Sequence, residues 1–371
     1  MCIKIGIMYA MNPNVAANDL ELLPPRTEIE SKSVLKKAIV ANTELARLKG
    51  YCSRLPNETI LLNTIVLKEA RASSEVENII TTHDDLYQAL VTDQSRIGAE
   101  TKEVLNYRAA VWKGYALLGK NGLITTRTIL SIQEELEKNN AGFRTQSGTA
   151  LVNDRTGETV YTPPDNEIVI LKLLKNFEDY VNTEDGIDPL IKMAVMHYQF
   201  ESIHPFYDGN GRTGRILNVL YLIKEHLIDS PVLYLSRYII RNKARYYELL
   251  QRVRTHGEWE AWIAYMLTAV EETAKLTLET AHRIVELMDK TVEYAKEKLA
   301  KTTYSKELIE LLFVQPYVKI EHLVTTRIAE RRTASKYLKE LEEIGILESY
   351  RAWRETIYIN KNLMDVIKKS E

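Results

Sequence analysis

The chain has 371 residues, 45% of them apolar, with 49 Lys and Arg against 51 Asp and Glu for a formal charge of −2. That length suggests two or three domains with sizeable cores, and the near-neutral balance excludes nucleic acid or anionic membrane as a partner chosen by overall charge. Two cysteines, Cys2 and Cys52, are too few for a disulfide framework or a thiolate metal site, which fits a reducing cytoplasm.

The apolar run Ile5 to Met11 is short, and no segment approaches a membrane span, so a cytoplasmic protein with no membrane partner is expected. Residues 1 to about 26 end in Leu22-Leu23-Pro24-Pro25-Arg26, an extended stretch expected to lie across the surface. Helical spacing follows from Glu28 to Arg54 and again from Glu58 through Ile60, Leu61, Ile65, Leu67 and Ala70, leading into Ser73-Ser74-Glu75-Val76-Glu77-Asn78. Ser73 and Glu77 are four apart, so one helix face presents both to a single target. Helices continue from Thr82 to about Asn140, broken at Asn121-Gly122.

A hairpin is expected between Phe143 and Pro164, with Ser147 to Val152 as one strand, a turn at Asn153 to Gly157, and Glu158 to Thr162 as the other. An isolated hairpin in a helical domain needs a partner. The helix from Asp188 to Ile203 then meets His204-Pro205-Phe206-Tyr207-Asp208-Gly209-Asn210-Gly211-Arg212-Thr213-Gly214-Arg215. Pro205 should end that helix, leaving His204 at the rim. Gly209 and Gly211 let backbone N–H groups converge, and the run Ile216, Leu217, Val219, Leu220 starts a helix whose positive end faces them. Arg212 and Arg215 lie on one turn and can lean toward one anion, with Asp208 placed to hold Mg²⁺ beside it. A polyphosphate with its metal fits these groups. His197 is read as a satisfied core or surface histidine.

The twelve residues resemble the Fic family motif, His-Pro-Phe-x-Asp/Glu-Gly-Asn-Gly-Arg-x-x-Arg, at every defined position. The resemblance implies transfer of AMP from ATP to a Ser, Thr or Tyr hydroxyl of a protein. It implies His204 as general base, Asp208 as Mg²⁺ ligand, and Gly209, Asn210, Gly211, Arg212, Thr213, Gly214 and Arg215 around the nucleotide. Gly211 speaks for the adenylylating branch, because the Doc branch has Lys there and transfers phosphate. Ser73, Glu77 and Asn78 resemble the family's inhibitory motif, which implies that Glu77 pairs with Arg215 and keeps ATP from binding productively. The hairpin resembles the Fic flap, with Leu151, Val152, Val160 and Tyr161 aligning the target segment as an added strand. Tyr246 is implied to border the adenine, with a core tyrosine as the equal alternative.

Trp259 to Ala300 reads as one or two long helices, with a domain joint near Lys301-Thr302-Thr303. Beyond it, helical stretches and a two-stranded wing from Glu348 to Ile359 around Trp353 resemble a winged helix. Arg331, Arg332, Thr333, Ser335 and Lys336 would face DNA, yet residues 301–371 hold 13 Lys and Arg against 11 Asp and Glu. DNA binding is therefore the weaker reading, behind protein docking or dimerisation.

The expected architecture is mainly α: a helical Fic fold with a β-hairpin flap, plus a small α+β winged-helix domain. The divisions are 1–95 with the inhibitory helix, 96–300 catalytic, and 301–371 winged helix. The expected function is an autoinhibited protein adenylyltransferase using Mg²⁺ and ATP, with self-modification and a homodimer left open. Two alternatives stand beside it: removal of AMP from proteins at the same site, and a nucleotide-sensing regulator that binds DNA or protein.

Overall fold

A computed structural model describes residues 12–55, 57–92, 97–153, 156–314, 316–352 and 355–369. The run Ile5 to Met11, Cys2, part of the hairpin turn and Trp353 lie outside the described residues. Of the extended N-terminal segment, residues 12–26 are described and lie across the surface as expected. Leu23 exchanges two hydrogen bonds with the Asn176 side chain (2.7 and 2.9 Å), and Gln199 donates to the Glu21 carbonyl at 2.8 Å.

Helix α1 (Lys32–Cys52) starts later than its apolar spacing predicts, because Ser31 caps it through the Val34 N–H. It is followed by α2 (Thr59–Val76), α3 (His83–Ala89), α4 (Ala99–Asn121) and α5 (Thr126–Glu137). Gly122 closes α4 in the left-handed region, with φ 70°. The hairpin pairs β1 (Leu151–Val152) with β2 (Thr159–Tyr161) and is shorter than expected. Then come α6 (Glu167–Asn182), α7 (Pro189–Ile203), α8 (Asn210–Lys224), α9 (Ser236–Arg241), α10 (Lys243–His256) and α11 (Trp259–Lys298), a single unbroken helix.

Helices α7 and α8 form the centre. Pro189 stands in the first turn of α7 and Asp188 caps it, accepting from Leu190 N and Ile191 N. Every residue from Leu190 to Ile203 is buried, so α7 is covered on all sides by α1, α6, α8 and α11. Gly114 of α4 packs against Leu220 of α8 so closely that an added Cβ would stand 2.6 Å from it.

The C-terminal part comprises α12 (Lys306–Val314), β3 (Tyr317–Val318), α13 (Ile320–Thr325), α14 (Arg331–Glu343), β4 (Glu348–Ala352), β5 (Glu355–Ile359) and α15 (Lys361–Lys369). Its sheet is antiparallel in the order β3-β5-β4, with Tyr317 opposite Ile359 and Tyr350 opposite Ile357. This part is docked onto the helices that flank Ser73 to Asn78. Lys68 of α2 is buried over the Tyr234 ring and donates to the Ile367 carbonyl at 3.0 Å. Asp84 accepts from Tyr317 at 3.0 Å and from Lys368 at 2.7 Å.

Candidate active site

The loop between α7 and α8 has the form its sequence predicts. His204 caps α7 in the left-handed region (φ 48°, ψ 59°), its N–H still bonded to the Phe200 carbonyl at 3.0 Å. Pro205 cannot continue the ladder, and the chain turns back. Gly209 opens α8 at φ 77°, where a Cβ would collide with the Glu137 carboxylate. Asp208 is exposed and accepts from Gly209 N at 2.7 Å. A single exposed carboxylate beside converging amides suits Mg²⁺, which takes most of its ligands from phosphates and water.

Asn210 departs in part from its expected role. Its buried side chain accepts from the Phe206 N–H and donates to the Phe206 carbonyl, both at 2.8 Å, so the side chain closes the loop and leaves its backbone N–H, in the first turn of α8, for an anion. Gly214 also departs: a Cβ there would stand 2.7 Å from Glu201 Oε1, so this glycine serves the contact between α7 and α8. Thr213 is fully buried, and its hydroxyl has no hydrogen-bond partner.

The two arginines are brought together, and both are buried. Arg215 Nη2 lies 2.7 Å from Glu77 Oε1, while its Nε donates to Ser73 Oγ at 2.7 Å and its Nη2 to the Ser73 carbonyl at 2.9 Å. Arg212 Nε bonds Glu77 Oε2 at 3.0 Å, so one carboxylate spans both guanidiniums. The expected Glu77–Arg215 pair is present, and Ser73 and Glu77 are both presented to Arg215 as their spacing predicts. Helix α2 ends at Val76, so Glu77 works from the C-terminal cap position, at φ −98°. Asn78 then turns the chain at φ 64° and accepts from Lys243 at 3.1 Å. Two strong charge-assisted contacts pull the Glu77 carboxylate inward from this turn.

Arg212 has further partners that sequence reasoning missed, Glu103 of α4 at 3.1 Å and Glu137 of α5 at 3.0 Å. Burial pushes Glu137 up to about 7, although Arg212 pulls the other way. Burial likewise pushes Glu201 up to about 7, against Arg215, and its Oε1 has no hydrogen-bond partner. Burial is the largest influence on Arg215 and opposes its charge, but Glu77 together with Tyr246, Glu201 and Tyr107 more than offsets it and raises the guanidinium above its ordinary value.

His204 is half-buried. Burial, then Arg144 and Arg254, hold its imidazole down to about 3, so the ring is neutral throughout the physiological range. His197 is wholly buried between Tyr246 (2.9 Å) and Asn218 (3.1 Å), a core histidine as read from sequence. Tyr246 is therefore core as well. Its ring sits among His197, Tyr247, Trp262 and Tyr265 with 1% exposed, leaving no face for an adenine.

The flap residues divide. Val152 is exposed, and Leu151, which pairs with Tyr161, and Val160 are half-buried. Tyr161 is buried, donates to the Ser202 carbonyl at 2.8 Å and lies 4.0 Å beneath the Arg254 guanidinium, so it anchors the hairpin and offers nothing to a target.

Comparison with known proteins bears on this geometry. Residues 35–116 match the Fic/DOC family N-terminal profile and residues 123–222 the Fic/DOC family profile, which contains the loop and both arginines. The chain carries Fic/DOC family domains. Residues 287–363 match the C-terminal domain of protein adenylyltransferase SoFic-like proteins, so this match begins inside α11. The chain is 28% identical over 183 residues to a probable protein adenylyltransferase of Aquifex aeolicus, covering 48% of this chain and 54% of that protein. It is 33% identical over 108 residues to protein adenylyltransferase fic-1 of Caenorhabditis elegans, covering 29% and 20%. The chain thus spans about half or less of the curated relatives it matches. Among solved structures, a Fic family protein from Desulfovibrio desulfuricans G20 superposes with a TM-score of 0.58 at 18% identity, over 91% of this chain and 98% of that one. Fic-1 of C. elegans does so at 0.52 and 21%, over 67% and 75%. Both are likenesses of fold, and they agree that the Fic fold here is mainly helical with small antiparallel sheets. Among the described residues, no helix is long and apolar enough to cross a membrane.

Proposed function

We propose that this chain is a protein adenylyltransferase held off by Glu77. One observation carries the reading: a single carboxylate, Glu77, bridges the guanidiniums of Arg212 and Arg215 beside a glycine turn whose preceding histidine is kept neutral. With Glu77 withdrawn, Arg215 is left a buried cation and Arg212 keeps only Glu103 and Glu137, beside the amides of Gly209 to Gly211, which suits a nucleoside triphosphate. Asp208 would hold Mg²⁺, which when bound offsets charge on the phosphates.

In the proposed step, the hydroxyl oxygen of a Ser, Thr or Tyr forms a bond to the α-phosphorus of ATP. The bond from that phosphorus to the bridging oxygen breaks, and pyrophosphate leaves. Neutral His204 takes the hydroxyl proton, and the loop amides with the arginines stabilise charge in transit. The two-stranded hairpin, with Val152 exposed and Leu151 and Val160 half-buried, suits a target segment added as a strand, a mode that reads backbone more than side chains.

Residues 1–95, 96–300 and 301–371 are our divisions, although α11 runs unbroken across the last catalytic turn up to Lys298. The three helices, three strands and closing α15 of the C-terminal part support a winged-helix reading, with protein docking preferred to DNA. A homodimer and self-modification fit that reading, and the two cysteines fit the cytoplasm. The test is incubation with Mg²⁺ and ATP labelled on the α-phosphate. Label on protein should rise in Glu77→Gly and vanish in His204→Ala. Equal labelling in Glu77→Gly and parent would contradict inhibition by Glu77.

A further inference from the structure

Three consecutive residues at the root of the hairpin each grip the loop that carries His204. Phe143 stacks on Phe206 with ring centroids 5.1 Å apart. Arg144 is 0% exposed: its Nε donates to the His204 carbonyl at 2.8 Å, its Nη2 to the carbonyls of Pro164 (2.8 Å) and Ile203 (3.4 Å), and its backbone N–H to the Pro205 carbonyl at 2.8 Å. Thr145 donates its N–H to the Tyr207 hydroxyl at 3.2 Å and shares a second contact with it through Oγ1 at 3.3 Å. Pro164 ends the other root of the hairpin, so the Arg144 guanidinium ties both roots to the carbonyl of the proposed base.

A buried guanidinium that meets only carbonyls in its hydrogen bonds, with its Nη1 unpartnered, is an expensive way to fill space, since an apolar side chain would pack as well. Its geometry suits something else. The planar fork holds three backbone oxygens in fixed relation, which a flexible ammonium cannot do. We propose that Arg144 is a positioning residue that fixes the height of the flap above His204, so that an added target strand presents its hydroxyl within reach of the imidazole. The exposed Tyr207 hydroxyl is the second latch of the same device. The proposal rests on the adenylyl-transfer reading for its purpose and on the contacts above for its structure. The charged groups acting on His204 are Arg144 and Arg254, so Arg144 also bears on the base itself.

The test uses the full chain with Glu77→Gly as the parent and adds Arg144→Lys, Arg144→Gln or Tyr207→Phe. Hydrogen exchange should rise about tenfold in residues 147–162 and 204–206 in both Arg144 variants, and about threefold in Tyr207→Phe. The amides of α8 and the affinity for a non-hydrolysable ATP analogue should stay as in the parent. The midpoint of His204, followed by NMR, should move up in Arg144→Gln and be restored by Arg144→Lys, which keeps the charge. Label transfer should fall at least fivefold in Arg144→Lys at unchanged KM for ATP. Exchange that rises evenly across the whole domain, or flap amides unchanged in all three variants, would overturn the proposal. If the Glu77→Gly parent itself transfers no AMP, the adenylyl-transfer reading fails, and exchange and titration still judge the latch.

Discussion

Replacing Glu77 by Gln leaves the shape of the site almost intact and removes the charge that Arg215 and Arg212 share at 2.7 and 3.0 Å. Each contact is a charge-assisted hydrogen bond, worth about 1.5–3 kcal/mol in net terms. The Glu77 side chain is 24% exposed, which admits water, and glutamine can still accept one bond. Both facts place the loss at the low end, about 2–3 kcal/mol for the pair together. The same contacts must be broken before phosphates can reach the arginines. Their loss should therefore return as affinity, roughly 30- to 140-fold tighter for ATP at 1.4 kcal/mol per decade. Without nucleotide the variant should melt below the parent by about 5 °C, because buried Arg215 loses its carboxylate partner and Arg212 keeps only Glu103 and Glu137. With saturating nucleotide that gap should close. Calorimetric titration with a non-hydrolysable ATP analogue in Mg²⁺, paired with melts in both states, measures both quantities. An affinity within threefold of the parent would refute the reasoning, since Glu77 would then not compete with phosphate.

His204 and His197 are both held down to about 3 by burial first, whereas an unfolded histidine titrates near 6.5. The unfolded chain thus binds more protons between those values, and stability should fall as pH drops from about 6.5 toward 4; a urea midpoint that stays flat over that range would contradict it. Glu201 has the opposite sign: its folded value of about 7 lies above 4.5, so its ionisation costs stability as pH rises through that window. Glu201→Gln should gain on the order of 1–3 kcal/mol over the parent at pH 8 and nothing at pH 4, measured by denaturant unfolding. In Gly211→Ala the added Cβ would stand 2.5 Å from Glu77 Oε1 and 2.9 Å from Arg215 Nη1. It should loosen the inhibitory pair and also obstruct phosphate, so a labelling assay should show no gain of the kind expected for Glu77→Gly.

What was legible in the sequence was local. Pro205, Gly209 and the apolar run after Arg215 fix where α7 stops and α8 starts, because backbone chemistry alone decides both. Glu77 was found through its likeness to the Fic inhibitory motif, which also implied Arg215 as its partner, and the pair is present. The carboxylate that spans two arginines, and the cap position it works from, depend on how α2 lies against α8, which no spacing encodes. Glu103 and Glu137 reach Arg212 from α4 and α5 with nothing in their neighbourhoods to mark them. Asn210 illustrates a different limit: its side-chain amide, in a turn expected to hold phosphate, closes that turn on Phe206 and leaves the backbone N–H for a ligand. The family resemblance placed Tyr161 toward a target and Tyr246 beside the adenine or, equally, in the core, because tyrosine suits either surface or core. Burial against His197 and Ser202 decides for the core. The closing helix α15, which buries Leu363, Met364 and Ile367, was not read from the sequence. Its contact with Lys68 has no local signal, since nearly three hundred residues separate the two.

The most direct measurement is a paired labelling of the Glu77→Gly chain with ATP carrying its label on either the α- or the γ-phosphate, each repeated with His204→Ala added. Protein labelled from the α-phosphate alone, and only while His204 is present, is what this account predicts. Label from the γ-phosphate, or α-label that survives loss of His204, would contradict it.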